Sequence, residues 1–152
     1  IVFDSRDGGI GTTQTHLRDL LRQLDIPPLD RLPMDHVMNR TFYLIQDAPG
    51  RHLDGQVWVE AAVTKERSDP ALPFRKLNDG VTPVIIGSND WAAAWAINEQ
   101  GDPMYPIGRG RAGERQREMA IRFGINLVMH VLTGNYKSDQ VHVPALLDRL
   151  GQ

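Results

Sequence analysis

Residues 84–95 read VIIGSNDWAAAW, and the fold turns on how that stretch divides. The run from Thr82 to Gly87 is short, rich in β-branched residues and unalternating, the pattern of a strand buried on both faces of a parallel sheet. A helix is predicted to start at Trp91, where Trp91 and Trp95 at i and i+4 share one face. Between them stand Gly87, Ser88, Asn89 and Asp90. Asx residues are strong helix caps, so Asn89 or Asp90 is expected to cap the helix. The two indoles suit either of two tasks, stacking on a ring-shaped ligand or filling the space between helix and sheet. Aromatic side chains are mostly core material, which favours the second.

Working outward, IVFDS (1–5) is a second apolar run ending in polar residues, here RDGGIGTT. Leu17, Leu20, Leu21 and Leu24 then recur at i, i+3, i+4 and i+7, one face of a helix that Pro27 and Pro28 terminate. One helical turn is predicted near 34–38. A strand is predicted at Thr41–Ile45 from its β-branched and aromatic residues. Asp54-Gly55 signals a hairpin into a strand from Val57 to about Ala62. Residues 64–80 are polar and punctuated by Pro70, Pro73 and Gly80, so they read as loop. The longest helix is predicted from Ala112 to Leu132, with Met119, Phe123 and Leu127 on one apolar face and Ile121, Ile125, Val128 and Leu132 on another. Two apolar faces predict burial from two sides. Gly134 ends it, and a short helix with Leu146, Leu147 and Leu150 follows Pro144. Strands alternating with helices give a single α/β domain over residues 1–152, its sheet mixed because of the hairpin.

Bulk composition narrows the function. The chain has 152 residues, 41% apolar and 24% charged, the profile of a globular domain with a core. Lys plus Arg total 17 against 19 Asp plus Glu, a net charge of -2, which offers no general attraction to nucleic acid or an acidic membrane. Cysteine is absent, removing disulfides, thiolate catalysis and zinc–thiolate sites from these residues. No segment approaches the roughly 20 apolar residues that cross a bilayer. The start at Ile1-Val2-Phe3, without Met, reads as a cut through a longer protein.

In open α/β sheets ligands sit beyond the carboxyl ends of the strands. The first strand ends in Asp4, Ser5, Arg6, Asp7 and Gly8, and the buried one in Ser88, Asn89 and Asp90. If the two strands are parallel neighbours, Asp4, Asp7 and Asp90 gather in one cleft with Arg6 between them. Three carboxylates and an Asn suit a hard divalent cation; the competing reading is a helix cap and an Arg–Asp pair. No other cofactor is indicated. The glycines after Asp7 fit no phosphate-binding fingerprint, and a tight turn explains them better. Ser88 lacks the Gly-x-Ser-x-Gly elbow of a nucleophile. The five histidines fall in no metal-ligand spacing, and His130 among apolar neighbours is expected to be a hydrogen-bonded core residue. Arg109, Arg111, Arg115 and Arg117 interleave with Glu114 and Glu118, as on a solvated helix start.

The segments LPMDHVMNRTFYLIQDAPGR (32–51), VIIGSNDWAAAW (84–95) and ERQREMAIRFGINLVMHVLTGNYKSDQVHVPALL (114–147) together resemble a bacterial domain family of unknown function. That family occupies the C-terminal end of large proteins with an N-terminal double-transmembrane region. It is related to the class I glutamine amidotransferase-like fold, a flavodoxin-like three-layer sandwich. The resemblance implies that IVFDS is a late strand, with the first strands upstream, and that the parent is anchored in the bacterial inner membrane. It implies no glutaminase residues here: there is no cysteine, and Gln140-Val141-His142 lacks the His-x-Glu pair of those enzymes. The reading is therefore a non-catalytic module binding a small ligand or protein partner through Asp4, Arg6, Asp7, Gly8, Ser88, Asn89 and Asp90. The alternative is a hydrolase or transferase using the carboxylates, with a divalent cation. Self-association through an unpaired edge at the first strand is also expected.

Overall fold

The computed structural model describes residues 1–8, 13–24, 26–61 and 82–134, within which strands and helices alternate. Strand β1 (Val2–Asp4) leads to helix α1 (Thr13–Leu21), then to β2 (Leu29–Arg31) and a 3-10 turn at Val37–Asn39. Strands β3 (Trp58–Glu60) and β4 (Ile85–Gly87) follow, then helix α2 (Trp91–Trp95) and the long helix α3 (Gly110–Thr133). The four strands form one open mixed sheet in the order β1-β4-β3-β2. β1 and β4 are parallel neighbours, with Phe3 beside Ile86 and Asp4 beside Gly87. β3 runs antiparallel to both β4 and β2. The sequence expectation of an α/β domain with a mixed sheet is met.

The pairing that makes the sheet mixed differs from the expected hairpin. No strand forms at residues 41–45, because α3 supplies that backbone's partners. Asn126 of α3 accepts at Oδ1 from the amides of Phe42 and Tyr43 at 3.2 and 2.7 Å. Its Nδ2 donates to the carbonyls of Met38 and Tyr43 at 2.9 and 2.8 Å. β3 pairs instead with β2, a strand that the sequence concealed: three residues are too few to show an alternation, and Pro27, Pro28 and Pro33 bracket them.

The pleat sends alternate residues to opposite sides. Val59 and Ile85 join Met38, Trp91, Phe123 and Leu127 in the main core, on the α2 and α3 side. Trp91 and Phe123 meet with ring centroids 4.7 Å apart. Gly87 lies under Trp91, and a Cβ there would stand 2.3 Å from the indole Cη2, so the strand has glycine where the ring must pass. Trp58, Ile86 and Leu29 face the other side, toward Leu17 and Leu21 of α1.

α3 buries Phe123 and Leu127 as expected, and Gly134 (φ 56) ends it, its amide bonded to the His130 carbonyl. Its second apolar row does not meet the expectation. Ile121, Ile125, Val128 and Leu132 are exposed, because they point away from the sheet that buries the first row. Arg117 departs from the solvated reading too, donating to the carbonyls of Ala94 (2.8 Å) and Tyr105 and so binding α2 to α3. His130 is buried and accepts from the Thr82 amide at 3.3 Å, the core role expected of it. The loop read at 64–80 and the helix read after Pro144 lie outside the described residues. No helix among the described residues is long and apolar enough to cross a membrane.

Candidate functional site

β1 and β4 end side by side, so the two polar clusters do meet. The same pleat that sorts the core then divides them. Asp4 and Gly87 face α2, while Ser5 and Ser88, one residue further on, line the opposite side.

On the α2 side the polar groups are spent on structure. Neither Asn89 nor Asp90 caps α2 with its side chain; Asp90 makes no capping bond and holds a left-handed conformation (φ 54, ψ 55). The cap comes from the neighbouring strand. Asp4 Oδ1 accepts from the amides of Asn89 and Asp90 at 3.0 and 3.3 Å, and Oδ2 from the amide of Trp91. A carboxylate at a helix start satisfies amides that the helix itself leaves open. Burial raises the Asp4 carboxyl above its ordinary range, the three amides opposing and the Asp90 carboxylate adding to the rise.

Loop 48–56 closes over this turn. Asn89 Nδ2 donates to the carbonyls of Ala48 (2.9 Å) and Gly55 (3.2 Å), and Trp91 Nε1 also reaches the Ala48 carbonyl at 2.9 Å. The amides of Arg51 and His52 donate to the carbonyls of Asp90 and Asn89. The contact is close enough that a Cβ at Gly55 would sit 2.0 Å from Asn89 Oδ1. Asn89 and Asp90 are each only 2% exposed. The arginine that meets Asp90 is Arg51, with Nη1 3.4 Å from Oδ2; the guanidinium also lies 6.0 Å from the Tyr105 ring centroid. Arg6 is exposed and takes part through its carbonyl, 3.1 Å from His52 Nε2.

The three aspartates accordingly have separate tasks: Asp4 holds amides, Asp90 faces Arg51, and Asp7 accepts from Ser5 Oγ at 2.8 Å. Among the described residues no group of three His, Asp or Glu side chains is placed to hold a metal ion.

The α1 side is open. A cleft of about 500 Å³ lies between α1 and the sheet. Its apolar walls are Leu17 and Leu21 on the helix and Leu29, Trp58 and Ile86 on the sheet. Ser5, Gly8, Asp54, Gln56 and Ser88 give it a polar rim. Gly8 adopts φ +63 with the His52 ring packed against it, a turn that carries the chain out of β1. Of the seven residues singled out in the sequence, Gly8 and Ser88 line this cleft, while Asn89, Asp90 and Asp4 belong to the clasped turn. Trp58, Gln56 and Asp54 were not singled out. Their signal was the period of two that puts residues 54, 56 and 58 on one face of the chain entering β3.

Residues 1–132 match the model of a family described as Domain of unknown function (DUF4159). A comparison with curated proteins finds no match.

Proposed function

The chain belongs to the DUF4159 family, and we propose that its domain is a non-catalytic module that binds a small ligand in the cleft between α1 and the sheet. One observation carries this reading: the carboxylates suited to chemistry are engaged by backbone amides and by Arg51, whereas the open cleft joins apolar walls to a few polar groups at its mouth. That combination and volume are those of small-molecule sites, which span about 300–1,000 Å³. The position agrees, since open α/β sheets bind ligands at the carboxyl ends of parallel strands. We place the domain in an amidotransferase-like, flavodoxin-like sandwich within a bacterial protein anchored in the inner membrane. Parallel β1 and β4 with helices toward both faces support the first part, and the resemblance of residues 32–51, 84–95 and 114–147 supports the second.

A thermal-shift screen of small molecules against the chain and against Gln56→Trp tests the reading. Gln56 is exposed at the rim, so an indole there blocks the mouth without entering the core. Compounds that raise the melting temperature of the parent chain and not of the variant are expected. Stabilisation that survives Gln56→Trp places the ligand elsewhere and overturns the proposal. Stabilisation by magnesium, calcium or manganese that Asp90→Ala abolishes favours the carboxylate and cation reading in its place.

A further inference from the structure

The chemistry of the cleft is more specific than its volume. Its floor is built around Trp58, which stands directly across from Ile86 on one side and Arg31 on the other. The Arg31 guanidinium carbon lies 5.8 Å from the Trp58 ring centroid, a contact that fixes the indole against the sheet. Trp58 is only partly buried, so part of a large, flat, preset aromatic surface faces the cleft. Such a face carries partial negative charge and attracts polarised C–H groups.

The rim is rich in acceptors. Asp54 is a carboxylate, which only accepts, and Gln56 offers a carbonyl oxygen beside its amide. Ser5 has already donated its proton to Asp7 at 2.8 Å, so toward the cleft its oxygen presents lone pairs. Ser88 adds a second hydroxyl across from it. No described lining residue is cationic. A phosphate or carboxylate group would be repelled by Asp54 at the rim, the neighbouring cation Arg31 being engaged on the Trp58 ring, and a wholly apolar ligand would desolvate the rim groups without bonding them.

Granting that the cleft is a binding site, as proposed above, we infer that its ligand is a neutral polyhydroxylated ring, a saccharide unit. It lays one C–H face on Trp58 and donates hydroxyl protons to Asp54, Gln56 and Ser5. The six-membered ring supplies both faces of the requirement at once, being apolar across its plane and donor-rich around its edge. A nucleobase shares the flat face but offers fewer donors to an acceptor-rich rim.

The three tryptophans make the inference testable by NMR on the full chain labelled with 15N. The indole N–H groups of Trp91 and Trp95 donate to the carbonyls of Ala48 and Ala120 on the far side of the sheet, and serve as internal references. The Trp58 signal, assigned by its loss in Trp58→Phe, is the reporter. Titration with neutral mono- and oligosaccharides is expected to move Trp58 saturably while Trp91 and Trp95 stay in place. The double variant Asp54→Ala/Gln56→Ala, both sites exposed, is expected to weaken that binding at least about tenfold, roughly 1.4 kcal/mol. If uncharged nucleosides or apolar rings move Trp58 and saccharides do not, the ligand class is wrong while the cleft stands as a site. Tighter binding of a sugar phosphate than of its neutral parent overturns the charge argument and the inference with it. If no compound class moves Trp58, the cleft reading and this inference both fall.

Discussion

The two sides of the β1–β4 pair start from nearly the same chemistry and end in opposite conditions. Asp4 and Ser5 are adjacent, as are Ser88 and Asn89, yet the pleat sends one of each pair into a clasped turn and the other into an open cleft. On the clasped side Asp4 accepts from backbone amides, Asn89 Nδ2 donates to backbone carbonyls, Asp90 meets Arg51, and Trp91 is 1% exposed. On the cleft side Trp58 keeps part of its ring free. Polar residues at strand ends are therefore not one site but two populations, one that builds the turn and one that lines the cleft. Burial of the first is what gives the second a rigid frame.

The sharpest way to break this comparison is to truncate a tryptophan on each side. Trp91 fills the space over Gly87, packs against Phe123 and bonds the Ala48 carbonyl, so Trp91→Ala removes a large core volume and frees loop 48–56 at once. A loss of about 4 kcal/mol is expected in urea unfolding, the range for buried Trp-to-Ala changes. Trp58→Phe, which keeps an aromatic floor, is expected to shift stability by less than about 1 kcal/mol. Equal losses from the two variants would mean that both sides belong to the same closed core.

A second test uses acid. His36 accepts at Nδ1 from the Met38 amide at 3.2 Å, and its ring centroid lies 6.0 Å from that of His130 on α3. Burial first, then His130, lower the His36 pKa to about 4, with Asp35 opposing and Arg40 adding to the fall. The unfolded chain takes up this proton near 6.5 and the folded chain only near 4. The stabilising effect is thus complete above pH 6.5 and is lost as the pH falls from there through about 4. Solvent screening around this half-buried ring reduces the contribution to about 1–2 kcal/mol. Denaturant midpoints measured from pH 7 to pH 4 are expected to fall, and His36→Gln to flatten that fall. An unchanged slope in His36→Gln would assign the acid sensitivity to other groups.

How much of this was legible follows from the range of the signals. Trp91 and Trp95 as core, Gly134 as a helix stop and the strand at Ile85–Gly87 are local patterns, and each could be read from a few neighbouring residues. The parallel meeting of Asp4 with the turn before Trp91 was conditional on a pairing that no local pattern encodes. The errors share one cause. Asn126 lies more than 80 residues from the Phe42 and Tyr43 amides it binds, and it cancels a strand whose composition favoured one. Asp4 caps a helix 87 positions away, displacing the local Asx residues that normally do so. Within the candidate site, the split between clasp and cleft was in principle readable from the two-residue period, but only once the strand ends were known to face each other.

The smallest expected effect tests the clasp itself. Asp4→Ala leaves the amides of Asn89, Asp90 and Trp91 without their acceptor, and a loss of about 2 kcal/mol is expected from a missing cap at a partly buried site. Asp4→Asn keeps one acceptor oxygen and removes a charge that burial disfavours, so its loss is expected to stay within about 1 kcal/mol. The sign of the pH dependence separates the two contributions. Because the folded carboxyl titrates above 3.8, the fold favours its protonated form, and that stabilisation is present below 3.8 and lost as the pH rises through the folded pKa. Asp4→Asn does not titrate there, so it is expected to gain on the parent chain as the pH is raised from 3 to 7, the His36 contribution cancelling between them. If instead the parent gains on Asp4→Asn over that range, the amides outweigh burial. The clasp is then a charged cap held ionised by three donors.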